Sequence, residues 1–261
     1  MNTAEPTIQV IATTTAPPPR SLFQRYRHLL QGRIAQFVLA LVIAGGLSFL
    51  FWRILPLLYR FWDHSLTALL GALPLADAQL VTINITIPAW SDLETAAIGL
   101  PLAPPDLAML SIHLGAAACL YLCAGKLHAP FRSPLRLLAV FHALCVLGSF
   151  ALPEGGLYSI EEHTRSLSIF SQGLLLFLPA VMALTHFIVE RSNERRILAT
   201  VLIAAYLIVT LPVKLAAHAL LIQTASSLAM PTLFLVFGPA FDIFVVTALY
   251  AWAVTWRHGQ G

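Results

Sequence analysis

The chain has 261 residues, of which 58% are hydrophobic and only 10% charged, and its mean hydropathy is +0.80. A soluble domain carries about 25% charged residues, so this composition excludes a water-soluble globular protein of this size. No stretch is polar enough to form a large soluble domain beside a single anchor. The net charge of +3 does not point to nucleic acid, because the basic residues gather at the ends of apolar runs, where they set membrane topology.

Residues 1–19, MNTAEPTIQVIATTTAPPP, lack a basic region ahead of an apolar core and read as a disordered Thr- and Pro-rich tail rather than a signal peptide. Residues 20–33 are basic and amphipathic. Leu22, Phe23, Tyr26, Leu29 and Leu30 recur at helical spacing among Arg20, Arg25 and Arg27, a pattern suited to an anionic membrane surface.

Residues 34–261 form the transmembrane domain. Apolar runs at about 34–58, 107–125, 136–152, 167–189, 197–222 and 228–256 approach or exceed the ~17–25 residues that cross a hydrocarbon core. The expected fold is therefore an all-α polytopic membrane protein with about six transmembrane helices. A large outer loop, 60–106, contains a short strand: Val81, Ile83, Ile85 and Ile87 alternate with Thr82, Asn84 and Thr86, the period of a half-buried strand. Trp62 and Trp90 in the same loop suit interfacial anchors.

Charge alternates between successive connections. Arg20, Arg25, Arg27 and Arg33, then Lys126, Arg132 and Arg136, then Arg191, Arg195 and Arg196, and finally Arg257 fall on one side of a six-span arrangement. Asp63, Asp77, Asp92, Glu94, Asp106, Glu154, Glu161 and Glu162 fall on the other, where the only basic residues are Arg60 and Arg165, with Arg53 near the membrane boundary. The positive-inside rule then places both termini in the cytoplasm of a multi-pass protein of the cell inner (plasma) membrane.

Ionisable residues inside spans are costly and are the first candidates for function. Lys214 and His218 stand one helical turn apart in the fifth span, and Thr210 extends their stripe. Asp242 lies mid-way along the sixth span, just after Gly238-Pro239. A Lys214–Asp242 pair with His218 nearby is the expected intramembrane polar cluster. His113, His142, His186 and His218 fall in four successive spans, and counting from the span ends gives an outer layer (His113, His218) and an inner one (His142, His186). Two stacked bis-histidine haems of the b type need such layers. Cys119, Cys123 and Cys145 lie in apolar runs and read as small packing residues. Glu161 and Glu162 are suited to cap the fourth helix. The sequence contains no Gly-x-Ser-x-Gly, His-Glu-x-x-His or P-loop pattern.

Three readings follow. The first is a non-catalytic subunit or accessory of a transport, export or envelope-assembly system, without cofactor, contacting other membrane or envelope proteins through loop 60–106. The second is a small proton- or ion-coupled carrier using Lys214, His218 and Asp242. The third is a di-haem electron carrier.

Overall fold

The computed structural model describes residues 34–75, 77–85, 93–151, 159–189 and 193–255. The tail 1–19, the basic segment 20–33, Trp90, Glu154 and Arg257 lie outside them. The chain divides into two compact units at Leu39–Ala40. In the first, the described residues are helical. The second, residues 40–261, holds the features that follow.

The elements in chain order are helix α1 (Ile34–Ala72), strands β1 (Gln79–Ile85) and β2 (Leu93–Gly99), and helices α2 (Leu107–Ala124), α3 (Ala129–Ala151), α4 (Ile160–Val189) and α5 (Asn193–Ala225). A single 3-10 turn at Ser227–Ala229 leads into the short α6 (Met230–Phe237) and then α7 (Pro239–Thr255). Six helical segments, with α6 and α7 counted as one, are long and apolar enough to span a membrane. The protein is thus an all-α, multi-pass membrane protein with a small two-stranded sheet.

The helix starts follow local chemistry. The side chain of Asp106 accepts a hydrogen bond from the Met109 amide at 2.8 Å and caps α2. Ser159 and Glu162 form a reciprocal box at the start of α4: the Ser159 hydroxyl accepts from the Glu162 amide at 3.1 Å, and the Glu162 carboxylate from the Ser159 amide at 3.3 Å. Two otherwise orphaned donors are thereby satisfied. This cap moves the start of α4 from the expected residue 167 back to Ile160, so the Glu161–Arg165 segment is helical.

The first span also differs from expectation. Helix α1 continues to Ala72, so the first part of the 60–106 segment is helix rather than loop. Trp62, expected at the interface, is only 2% exposed. Its indole Nε1 donates to the Ile208 carbonyl in the middle of α5 at 2.8 Å. That carbonyl lies four residues before Pro212, which has no N–H to give it. The tryptophan satisfies the acceptor that the proline orphans. Ser48 donates to the Leu176 carbonyl of α4 at 3.0 Å.

The expected strand begins two residues earlier than read, at Gln79, and it pairs with a second strand that the alternation did not reveal. β1 and β2 run antiparallel, Gln79 opposite Gly99 through Ile85 opposite Leu93. In β2, Thr95, Ala96, Ala97 and Ile98 are all buried, because this strand packs against α4. Its outer edge is tied there: the Ile98 amide donates to Thr164 Oγ1 at 2.9 Å, and Thr95 donates to Ser168 at 2.7 Å. Gln172 extends the network, donating to Thr95 and Ser168 and accepting from the Tyr59 hydroxyl at 3.1 Å. An edge strand's unpaired donors are thereby covered by side chains of a helix.

The cysteines do not sit in the packed interior. Cys119 and Cys123 are exposed on α2 with their sulfurs 3.9 Å apart, and Cys145 is half-buried.

Candidate functional site: an intramembrane ion pair and two histidine pairs

Helix α4 carries the polar residues that organise the interior. His163, Thr164, Ser168, Ser171 and Gln172 are all buried, and their spacing places them along the side of the helix facing β2, α5 and α7. Across from them, α5 presents Tyr206, Thr210, Lys214 and His218, each four residues from the next.

Lys214 Nζ lies 2.5 Å from Asp242 Oδ2, with the Lys214 side chain 11% and the Asp242 side chain 1% exposed. Ser171 completes the contact: its hydroxyl donates to Asp242 Oδ2 at 3.3 Å and accepts from Lys214 Nζ at 3.3 Å. One carboxylate oxygen is therefore saturated. The other, Oδ1, is buried, as is the Tyr206 hydroxyl that faces Asp242, and neither closes a hydrogen bond among the described residues.

The backbone explains why a carboxylate stands here. Gly238 and Pro239 interrupt the last span, separating α6 from α7. The Asp242 amide donates to the Gly238 carbonyl at 3.1 Å, so Asp242 sits in the first turn of α7, where the helix dipole favours a negative charge. A Cβ at position 238 would strike the Phe234 carbonyl and come within 2.6 Å of Leu167 Cδ2, so glycine is what allows α6 and α7 to turn against α4.

His218, one turn from Lys214, is 2% exposed. Its Nδ1 meets His163 Nε2 at 2.9 Å, and its ring faces the Phe237 carbonyl at the helix break. The ring of Phe234 closes over His163 with centroids 5.9 Å apart. Sequence reasoning missed His163 because it placed that residue in a loop. The Ser159-x-x-Glu162 capping pattern was the signal that puts it on a helix.

A second histidine pair joins α2 and α3. His113 Nδ1 and His142 Nε2 are 3.1 Å apart. His113 Nε2 donates to the Ala225 carbonyl at 2.7 Å, and His142 Nδ1 lies 2.7 Å from Thr232 Oγ1. With both rings neutral the order is fixed: Thr232 donates to His142, His142 to His113, and His113 to Ala225.

These contacts correct the expected histidine layers. His113 pairs with His142, not with His218, because α3 begins at Ala129 rather than at 136 and its residues are displaced in depth accordingly. His218 pairs with His163. The side chain of His186 lies outside the described residues. In each pair the facing nitrogens are already in hydrogen-bond contact, and the ring centroids are 5.2 Å apart in both. An iron and its porphyrin plane cannot be placed between such nitrogens, so the di-haem arrangement does not fit these residues. Among the described residues no group of three or more His, Cys, Asp and Glu side chains is arranged to hold a metal ion.

No family model, curated protein or solved structure compared with this chain matches it.

Proposed function

We propose that this integral membrane protein is a proton-coupled carrier whose working group is Asp242, held by Lys214 and Ser171. The observation that carries this reading is a buried ion pair at an interruption of a membrane-spanning helix. Burying two charges in lipid is costly even when they meet. A helix break at a membrane-embedded polar centre is also the way carriers present backbone and charge to a transported solute. Protonation of Asp242 would release Lys214 from its partner, so that proton binding changes the charge presented at the break. Asp242 Oδ1 and the Tyr206 hydroxyl, both buried without a closed hydrogen bond, are the groups left to meet a solute or water.

The orientation belongs to the same proposal. The basic connections support a plasma-membrane protein with both termini cytoplasmic, which puts the β1–β2 hairpin and the start of α4 on the outer side.

The test is proton movement in dye-loaded proteoliposomes driven by gradients of a panel of small cations, amines and amino acids. The expected outcome is proton flux with at least one solute class in the native chain and none in Asp242→Asn, with both eluting as the same folded species. Equal flux from the two proteins would sink the proposal. An accessory subunit is the second reading, and the outward edge of the hairpin favours it: Gln79 and Thr82 on β1 are exposed and could meet a partner. It predicts no solute-driven proton movement and a co-purifying chain that is lost when these positions are changed.

A further inference from the structure

The polar column has an opening at its hairpin end. A cavity of about 360 Å³ is bounded there by Leu100 and Pro104 after β2, by Ile160 and Glu161 in the first turn of α4, and by Ser227 and Met230 at the start of the last span. The two helical walls each lead one turn further to a ring. Ile160 leads to His163 along α4, and Met230 to Phe234 along α6, and those two rings touch each other. His163 is thus a buried titratable side chain one turn from the cavity wall. From it the path runs inward from His163 Nε2 to His218 Nδ1 at 2.9 Å, then across one turn of α5, about 6 Å, to Lys214, whose Nζ contacts Asp242.

We infer that His163 and His218 form the proton relay between this cavity and Asp242. The inference rests on the proposed role of Asp242. The titratable and charged groups around the relay are Glu161 and Arg165 on α4, Tyr206 and Lys214 on α5, and Asp242 on α7. β2 contributes the uncharged Thr95, and α6 contributes Phe234. Glu161, exposed at the mouth, draws protons toward the cavity. Lys214 lies one turn below His218 on α5.

The step is a proton transfer with no change of oxidation state. A proton from the cavity side binds the His163 ring. The proton on His163 Nε2 crosses to His218 Nδ1, and His218 Nε2 gives up its own proton at the break beside the Phe237 carbonyl. Lys214 Nζ hands one of its protons to the Asp242 carboxylate, which becomes a neutral carboxyl group, and takes the proton released by His218 in its place, ending again as an ammonium. Both imidazoles return to their neutral form, with the N–H positions reset by tautomer exchange. The pair on α2 and α3 ends instead in the Thr232 hydroxyl and the Ala225 carbonyl.

The experiment is a pH-jump infrared measurement on the full chain in lipid vesicles, following the carboxylic C=O stretch of Asp242, assigned by its loss in Asp242→Asn. His163→Gln should slow the appearance of this band by about a hundredfold without changing its final size. Imidazole in the medium should restore the rate, which a purely structural defect would not allow. His218→Gln is the second variant should the first not fold, and His142→Gln should leave the rate unchanged. A native rate in both relay variants overturns the relay while leaving the role of Asp242 intact. Absence of any Asp242 band in the native chain after the pH jump overturns the proposed function, and the relay with it.

Discussion

The two histidine pairs use the same contact for different ends. His113–His142 and His163–His218 have facing nitrogens 3.1 and 2.9 Å apart, and each joins two neighbouring helices. The first pair terminates in a threonine hydroxyl and a peptide carbonyl, so its hydrogen-bond chain is closed and uncharged. The second lies one turn from a buried ammonium and carboxylate. The short helix α6 touches both, through Thr232 on one side and Phe234 on the other. The contrast teaches that a buried histidine pair is not itself a functional signal. What distinguishes a clip from a conduit is whether the chain of polar atoms ends or continues into a group that can change charge.

The largest expected effect tests that continuation. Lys214→Met would leave the Asp242 carboxylate buried without its cation, at a cost of about 3–5 kcal/mol. Replacing both partners, Lys214→Met with Asp242→Leu, should recover most of that loss, since no buried charge is then left alone. Unfolding in detergent micelles by denaturant measures both. If the single change cost no more than the double, the pair would not be electrostatically coupled, and the difference between the two regions would disappear.

An intermediate effect is expected at the glycine that lets α6 serve both pairs. Gly238→Ala places a methyl group against the Phe234 carbonyl and Leu167. Overpacking of this kind costs about 1–3 kcal/mol. It should also disturb both histidine pairs together, which the NMR signals of the four rings would show. A shift confined to His163 and His218 would mean that α6 does not couple the regions.

Much of this was legible before any coordinates, for reasons that also explain what was not. The membrane spans follow from long apolar runs, and the Lys214–Asp242 approach follows from two antiparallel segments joined by a short connection. Depth was not legible for His142 and His163, because hydropathy marks where a segment is apolar and not where its helix begins. Helices α3 and α4 start among polar residues, at Ala129 and Ile160. β2 escaped notice because burial on both faces, among Ala96, Ala97 and Ile98, erases the alternation that revealed β1. Trp62 was misread because an aromatic in a short apolar stretch looks the same at an interface as in a core. Only the orphaned Ile208 carbonyl, four residues before Pro212, tells them apart.

The smallest expected effect is the sharpest test of the closed pair. Thr232→Val removes the hydroxyl that donates to His142 Nδ1 and keeps the shape of the side chain. The loss of one neutral hydrogen bond is worth about 0.5–1.5 kcal/mol, somewhat more if the imidazole nitrogen finds no other donor. The remaining order, His142 donating to His113 and His113 to the Ala225 carbonyl, needs no proton from Thr232 and should persist, so the His113 ring should keep its tautomer. Nitrogen chemical shifts of the labelled rings read this directly. Because the pair does not lie on the proton path, the Asp242 infrared band should rise at the native rate in this variant. A slowed rise would show that protons also pass through His142, and the division between clip and conduit would have to be abandoned.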